Sequence, residues 1–111
     1  MKIQYVIVRR DTEFTHGATI AQAVHAVTLC QHTHFDKDYL EYCREGFAMR
    51  TVILQCTQEN MPEIIKELQE RKIKHCVWRE MPEDIETAIA LYPYEKDLIK
   101  AIPAIRKLKL Y

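Results

Sequence analysis

Polar side chains that can carry out acid–base and hydrogen-bond chemistry are concentrated in one segment that has no formal charge. From Phe14 through Phe35 the chain contains no Asp, Glu, Lys or Arg, although these residues make up 29% of the sequence. The same segment holds four of the five histidines, interspersed with threonines and glutamines. Imidazole and amide groups can transfer protons, orient water or stabilise developing charge. This composition predicts a structural element that does not simply face solvent.

Helical periodicity runs from about Ala18 to His32 and separates the segment into two stripes. The apolar stripe is predicted to face a sheet and consists of Ile20, Ala23, Val24, Val27, Cys30 and Gln31. The other stripe is neutral and hydrogen-bonding, stepping by three through Thr19, Gln22, His25 and Thr28. A solvent-facing stripe normally carries Lys and Glu. This one therefore predicts partial burial against a helix, a partner chain or a ligand, or simply a helix packed on both sides.

The rest of the chain alternates between strand and helix patterns. The strands are predicted at Lys2–Arg9, Met49–Cys56, Ile73–Glu80 and Glu86–Tyr92. The further helices are predicted from Asp36 (as N-cap) to about Glu45 with Gly46 as stop, from Thr57 (as cap) to about Arg71, and from near Glu95, with Pro103 ending or restarting the last one.

The element order β-α-α-β-α-β-β-α predicts an α/β fold with a mixed four-stranded sheet and helices on both faces. With 48% hydrophobic residues, residues 1–111 suffice for a single domain with one core. Sixteen basic and sixteen acidic residues balance, which argues against a generally basic, nonspecific nucleic-acid binder. The four cysteines form no C-x-x-C motif and are typical of reduced, packed thiols. Gln22 and His25 argue against a membrane span in the uncharged segment.

The candidate site lies where the first strand leads into the uncharged helix. Ligands in open α/β sheets bind at the carboxyl ends of strands, and a helix N-terminus there attracts phosphate or oxyanions. Gly17 would let a ligand approach the backbone closely. If the third strand runs parallel to the first, one cleft gathers Arg9, Arg10, His16, Gln22, Glu80 and Asp84. Such a mixed-charge cleft is compatible with hydrolysis of a phosphate-bearing substrate.

The stretch "VRRDTEFTHGATIAQAVHA" resembles the signature of the archaeal/eukaryotic-type peptidyl-tRNA hydrolases. Within that family it is most similar to the branch called peptidyl-tRNA hydrolase domain-containing proteins. That signature is a strand ending in R-x-D, followed by a loop running into G-K-x-A-A-Q-x-x-H-A. The matching residues are Asp11, Gly17, Ala21, Gln22, His25 and Ala26. The similarity continues through "MRTVILQC", "IKHCVWRE", "TAIALYP" and "LKL", and so covers nearly the whole chain.

The resemblance implies hydrolysis of the ester between peptide and tRNA in peptidyl-tRNA. It also implies a frequent homodimer and no metal; we expect no other cofactor, no membrane association and a cytoplasmic location, with the mitochondrion as the alternative. Gln22, His25 and Thr87 carry over as catalytic candidates, joined by His16 and by Glu80 or Asp84 as general base. The substrate-binding candidates are Arg9, Arg10, Asp11, Gly17 and Thr19.

Two departures from the family pattern leave other functions open. The family's loop lysines fall on His16 and Ala18, and the acidic residue that ends the third strand is the longer Glu80. The competing hypothesis is a non-catalytic RNA- or protein-binding module on the same fold. A weaker hypothesis is a hydrolase of another ester or amide. A metal site at Cys30, His32 and His34 is disfavoured because no carboxylate or fourth ligand is evident.

Overall fold

A mixed sheet with helices on both faces organises the protein in the computed structural model, which describes residues 1–44 and 48–111. The strands are β1 (Lys2–Arg9), β2 (Thr51–Cys56), β3 (His75–Glu80), β4 (Ile85–Leu91) and β5 (Tyr94–Glu95). The helices are α1 (His16–His34), α2 (Lys37–Arg44), α3 (Met61–Glu70), α4 (Lys96–Lys100) and α5 (Pro103–Arg106). The predicted α/β class is confirmed.

The strand order β2-β1-β4-β3 determines where the functional residues meet. β1 and β2 are parallel, whereas β4 is antiparallel to both β1 and β3. β1 and β3 therefore run in the same direction, as the sequence-based hypothesis required, and both end at the same edge of the sheet. The two-residue β5, which was not predicted, pairs with the start of β1 and makes the sheet five-stranded rather than four-stranded.

Each face of the sheet has its own apolar core because side chains alternate along β1. On one face Ile3, Tyr5 and Ile7 pack with the buried residues of α3, α4 and α5. On the other face Val6 and Val8 pack with α1 and α2. The predicted helices on both faces are thus confirmed.

Several predicted element boundaries were wrong for local reasons. Thr57 does not cap α3; its N–H donates to Asn60 Oδ1 at 2.9 Å, and this turn delays the helix until Asn60, the N-cap. Met49 has a left-handed φ of 38°, and β2 therefore begins only at Thr51. The predicted stop at Gly46 lies outside the described residues.

Other local predictions are confirmed. The carboxylate of Asp36 accepts from the N–H of Tyr39 at 2.9 Å, which is N-cap geometry for α2. Pro103 restarts the last helical segment as the first residue of α5. It suits that position because the ring fixes φ and the missing N–H would have no helical partner there.

The two predicted stripes of α1 are partly exchanged. Thr19, Gln22, Ala26 and Cys30 are the buried positions of the helix, whereas Ile20 and Val24 are 61% and 57% exposed. The polar stripe was correctly predicted to be partly buried, but much of its buried part faces the sheet itself. The prediction that Ile20 and Val24 pack on the sheet was wrong, because small and hydrogen-bonded side chains occupy that face.

We expect Leu68→Ala to lower the free energy of unfolding by about 2–5 kcal/mol, because Leu68 is fully buried on α3. Urea denaturation followed by circular dichroism measures this change. Leu98→Ala is the matched control, since Leu98 is 48% exposed and its truncation should cost less than about 1 kcal/mol. Equal losses in the two variants would contradict the core described above.

Candidate functional site

An irregularity in the β3–β4 pairing places Thr87 on the same side of the sheet as α1. Trp78 pairs with Ala88, but the next residue, Arg79, pairs with Glu86, so that Thr87 is the extra residue of a bulge. Strict alternation would place Thr87 beside Ile89, on the opposite face from Ala88. Instead its hydroxyl meets a side chain of α1, which shows how a bulge can reorient one residue.

The amide of Gln22 connects α1 to both β3 and β4. Its Oε1 accepts from Thr87 Oγ1 at 2.7 Å, and its Nε2 donates to Glu80 Oε2 at 3.2 Å. Nε2 also donates to the carbonyl of Ala18 at 3.1 Å. Gln22 is only 2% exposed, and both ends of its amide are satisfied. The amide is therefore held in one orientation, with its N–H directed at the Glu80 carboxylate.

Glu80, the last residue of β3, receives a donor on each carboxylate oxygen. Trp78 Nε1 donates to Oε1 at 3.0 Å, while Gln22 Nε2 donates to Oε2 at 3.2 Å. The Trp78 bond, followed by the Gln22 bond and the nearby His25, lowers the pKa of Glu80 below its ordinary value. Glu80 is consequently a carboxylate at neutral pH. It can accept a hydrogen bond from water, but its lowered pKa makes it a weaker base than an ordinary glutamate.

His25 lies against Trp78 rather than against backbone acceptors. The two ring centroids are 4.9 Å apart with an interplanar angle of 37°. His25 is one turn beyond Gln22 along α1, so both side chains project towards β3. The structure thus brings together the predicted candidates Gln22, His25, Glu80 and Thr87. Trp78 lies between His25 and Glu80 and contacts both.

The N-terminus of α1 is capped and open to solvent. Thr15 Oγ1 accepts from the N–H of Ala18 at 3.2 Å, and the Thr15 carbonyl accepts from the N–H and hydroxyl of Thr19, each at 2.9 Å. His16 and Gly17 are exposed, and a side chain added at Gly17 would meet nothing within 4 Å. Thr19 is buried with its hydroxyl engaged, whereas His16 and the backbone at Gly17 are accessible to a ligand.

The two arginines that end β1 have different surroundings. Arg9 is 8% exposed, forms an ion pair with Asp11 at 2.9 Å and donates to the carbonyl of Glu86 at 3.3 Å. Burial raises the pKa of Asp11, but hydrogen bonds from Arg9 and the N–H of Gln58 outweigh that effect and lower it overall. Arg9 and Asp11 therefore neutralise each other and stabilise the loop after β1.

Arg10 instead lines an open polar cleft at the carboxyl ends of β1 and β2. The cleft has a volume of about 610 Å³, and Lys107 and Lys109 also line it. Arg10 donates to the carbonyl of Tyr111 at 3.0 Å, and its guanidinium lies 4.6 Å from the centre of the Tyr111 ring. Arg10 therefore lines a cleft, whereas Arg9 is buried and paired with Asp11.

Asp84 is not part of the hydrogen-bond network around Gln22. It is exposed, has a φ of 57°, and forms an ion pair with Arg79 at 3.2 Å. Arg79 is adjacent to Trp78 on β3, and its side chain is exposed, binding Asp84 and Glu86. Of the two carboxylates predicted as candidates for the general base, Glu80 is bonded to the Gln22 amide and Asp84 to Arg79.

The residues considered for a metal site do not converge. Cys30 is buried in the core under α1, while His34 Nε2 lies 3.2 Å from the carbonyl oxygen of His75. Within residues 1–44 and 48–111, no three His, Cys, Asp or Glu side chains are grouped so that they could hold a metal ion. No helix in those same ranges combines the length and apolar character that crossing a membrane requires.

An apolar groove lies on the other flank of α1. α1 packs against β1, β3 and β4, and the groove is bounded by α1, β2 and the residues that follow α5. Its volume is about 700 Å³, and the residues lining it include Ile20, Val24, Ile53, Leu110 and Tyr111. None of its lining residues carries a formal charge. The outward side of the helix is therefore neutral and apolar where a solvated helix would be charged.

Trp78 belongs to the hydrogen-bond network around Gln22 and Glu80 but was not among the site residues predicted from the sequence. A usable signal was present, because Trp78 and Glu80 are two residues apart on a predicted strand and so project to the same face. Which acceptor the indole N–H finds depends on the side-chain packing. That information is tertiary.

The chain is similar to known proteins over nearly its whole length. Residues 2–111 match the family described as Peptidyl-tRNA hydrolase PTH2. The chain is 36% identical over 116 residues to the mouse protein named "Putative peptidyl-tRNA hydrolase PTRHD1", covering 98% of this chain and 81% of the mouse protein. It is 39% identical over 102 residues to the human protein of the same name, covering 86% of this chain and 73% of the human protein.

We expect Thr87→Val to lower the free energy of unfolding by about 1–3 kcal/mol, because the buried Oε1 of Gln22 would lose its donor. Chemical denaturation measures the loss. Thr33→Val, the same substitution at an exposed position of α1, should change stability by no more than about 0.5 kcal/mol. A Thr87→Val protein as stable as wild type would show that the hydroxyl does not support the Gln22 amide.

Proposed function

Since the chain belongs to the peptidyl-tRNA hydrolase PTH2 family, we propose that it hydrolyses the ester between peptide and tRNA in peptidyl-tRNA and so returns free tRNA to translation. The observation that carries the proposal is the Gln22–Glu80–Thr87 network. It places an oriented carboxylate and an oriented amide beside α1, whose N-terminus is open to a ligand.

In the proposed reaction water attacks the ester carbonyl directly. Glu80 accepts a hydrogen bond from that water and then its proton, while the carbonyl oxygen becomes an oxyanion. The oxyanion collapses, the bond to the ribose oxygen breaks, and that oxygen takes up a proton. The products are a peptide with a free carboxylic acid and a tRNA with a free ribose hydroxyl. No covalent enzyme intermediate and no metal or other cofactor takes part.

The other candidates supply positive charge and hydrogen bonds in this proposal. The backbone N–H groups of His16 and Gly17, which do not take part in the Thr15 cap, stabilise the oxyanion with the aid of the helix dipole. Gln22 orients Glu80, and Thr87 in turn orients Gln22. His16 is exposed in that first turn and takes the place of a family lysine, either as a contact to phosphate or as the donor to the leaving oxygen.

The polar cleft beside Arg10 is the proposed site for the tRNA backbone. Arg10, Lys107 and Lys109 bring three cations to one cavity, which Asp11 also lines and where Lys107 is paired with Glu63 at 2.9 Å. Arginine suits phosphate because its planar fork binds two oxygens at once. The local patch therefore supplies positive charge that the chain as a whole does not have.

We place the reaction in the cytoplasm, with the mitochondrion as the alternative compartment.

We also propose a homodimer formed through the apolar groove and the exposed residues of α1. In a two-fold contact each surface meets its own copy, so like charges would oppose one another. This surface has no such charges from Phe14 through Phe35. Ile20 and Val24 protrude beside the groove that could receive the partner's apolar side chains. An uncharged surface of this kind favours a second copy over an RNA.

Purified protein incubated with peptidyl-tRNA and a chelator should release free tRNA, and Glu80→Gln should slow this release by about 100-fold or more because it removes the proton acceptor. Gln22→Ala and His16→Ala should also slow it. Glu83→Gln is the matched control, since Glu83 is exposed in the β3–β4 connector. Acid-gel electrophoresis of labelled substrate measures the rates.

The other outcomes decide between the alternatives. Binding of tRNA without peptide release would select the non-catalytic module. Loss of activity in Asp84→Asn but not in Glu80→Gln would transfer the role of base to Asp84. Activity that disappears only with the chelator would contradict the metal-free mechanism.

The dimer proposal predicts that Val24→Glu makes the protein monomeric, because two carboxylates would face each other across the two-fold axis. Analytical ultracentrifugation at several concentrations measures the mass. Leu98→Glu is the control, since Leu98 is an exposed apolar residue on α4, away from the groove. A wild-type protein that remains monomeric at high concentration would refute the proposal.

A further inference from the structure

The Trp78 indole is positioned to control the carboxylate of Glu80. The two residues project to the same face of β3, and Trp78 Nε1 lies 3.0 Å from Glu80 Oε1. An indole N–H can only donate, so the direction of this hydrogen bond is unambiguous. If Trp78 served only to pack the core, any acceptor would satisfy its N–H. Its acceptor is instead the Glu80 carboxylate, at the proposed reaction centre.

The indole ring is itself held in place from two sides. His25 of α1 lies against the indole, with 4.9 Å between ring centroids, while the rest of the ring packs against the core beneath α1. Trp78 cannot turn its N–H away from Glu80 without giving up these contacts. The donor is thus more rigid than a surface side chain would be, and rigid donors orient an acceptor at little entropic cost.

Two donors from different elements hold the two oxygens of one carboxylate. Gln22 of α1 donates to Oε2 at 3.2 Å, and Trp78 of β3 donates to Oε1. With both oxygens engaged, rotation about the terminal side-chain bond is restricted. Each oxygen still has a lone pair, so that one can receive a proton from water.

We propose that Trp78 is a positioning residue, which orients the Glu80 carboxylate for the attack of water. This inference rests on the proposed function and assigns a role that the family resemblance did not supply. Trp78 acts through Glu80 and need not touch substrate.

The groups that face Glu80 show why the indole matters for its charge. His25 is the titratable side chain on α1 that acts on Glu80. From β4 the nearest member of the network is the neutral Thr87, and the neighbouring cation on β3, Arg79, is engaged by Asp84 and Glu86. Of the favourable effects on Glu80, the hydrogen bond from Trp78 is the largest.

Loss of the Trp78 N–H should change the pKa of Glu80 in a definite direction. A donated hydrogen bond stabilises the charged form and lowers the pKa of a carboxyl group. Removing the indole N–H therefore raises the pKa of Glu80. If the ionised form is the active one, the acid limb of the kcat/KM profile moves to higher pH with it.

Trp78→Phe tests this inference because it keeps an aromatic ring against His25 while removing the donor. We expect kcat/KM on peptidyl-tRNA at neutral pH to fall about tenfold, since a hydrogen bond to a charged group is lost. The acid limb should move to higher pH. Carbon NMR of labelled glutamate carboxyls, with the Glu80 signal assigned from Glu80→Gln, should show that the pKa of Glu80 has risen.

Tyr92→Phe is the matched control. Tyr92 Oη donates to Asp36 Oδ1 at 2.5 Å, so this variant also removes an aromatic donor from a carboxylate, but at a different place in the fold. It should leave both the acid limb and the pKa of Glu80 unchanged. Urea denaturation of both variants shows whether they remain folded under assay conditions.

The NMR titration separates failure of this inference from failure of the proposed function. An unchanged Glu80 pKa in a folded Trp78→Phe protein would overturn the inference even if the wild type is active. A raised pKa in that variant, with a wild type that releases no tRNA, would support the contact and refute hydrolysis. An activity loss of equal size in Tyr92→Phe would show that the effect is merely structural.

Discussion

The arrangement of the site depends on one buried amide having all its hydrogen bonds. Gln22 is 2% exposed, and a buried polar atom left without a partner would cost about 1–3 kcal/mol. Its acceptor is satisfied only because Thr87 stands at a bulge, and its donors only because Ala18 and Glu80 lie within reach. The helix, the bulge and the end of β3 must therefore adopt their relative positions together.

The same hydrogen bonds determine how Glu80 can act. Donors on both oxygens orient the carboxylate but also lower its pKa, which makes it a weaker base. In the proposed reaction the better orientation offsets the weaker basicity, because an oriented proton acceptor contributes through its position as well as through its basicity. The proposal also leaves more of the transition-state stabilisation to the N-terminus of α1 and to His16.

The uncharged segment is used on both of its sides. Towards the sheet, Thr19 and Gln22 are buried with their polar groups satisfied; away from it, Ile20 and Val24 border an apolar groove. Charged residues are unsuited to either environment, since one is buried and the other is a neutral surface. The network at Glu80 and the polar cleft at Arg10 both lie outside that groove.

The sequence by itself determined the α/β class, the approximate positions of the strands and main helices, and the membership of Gln22, His25, Glu80 and Thr87 in one candidate set. The class and the element positions follow from periodicity, which is a local property of the chain, whereas the resemblance to the family supplied His25 and Thr87 of the candidate set. Only the tertiary structure decided that Ile20 and Val24 face outward, that Asp84 pairs with Arg79, and that the Trp78 N–H meets Glu80. The orientation of α1 on the sheet, the left-handed turn at Asp84 and the bulge at Thr87 produce those outcomes. Each is set by contacts between residues distant in sequence or by a backbone irregularity, and periodicity cannot specify either.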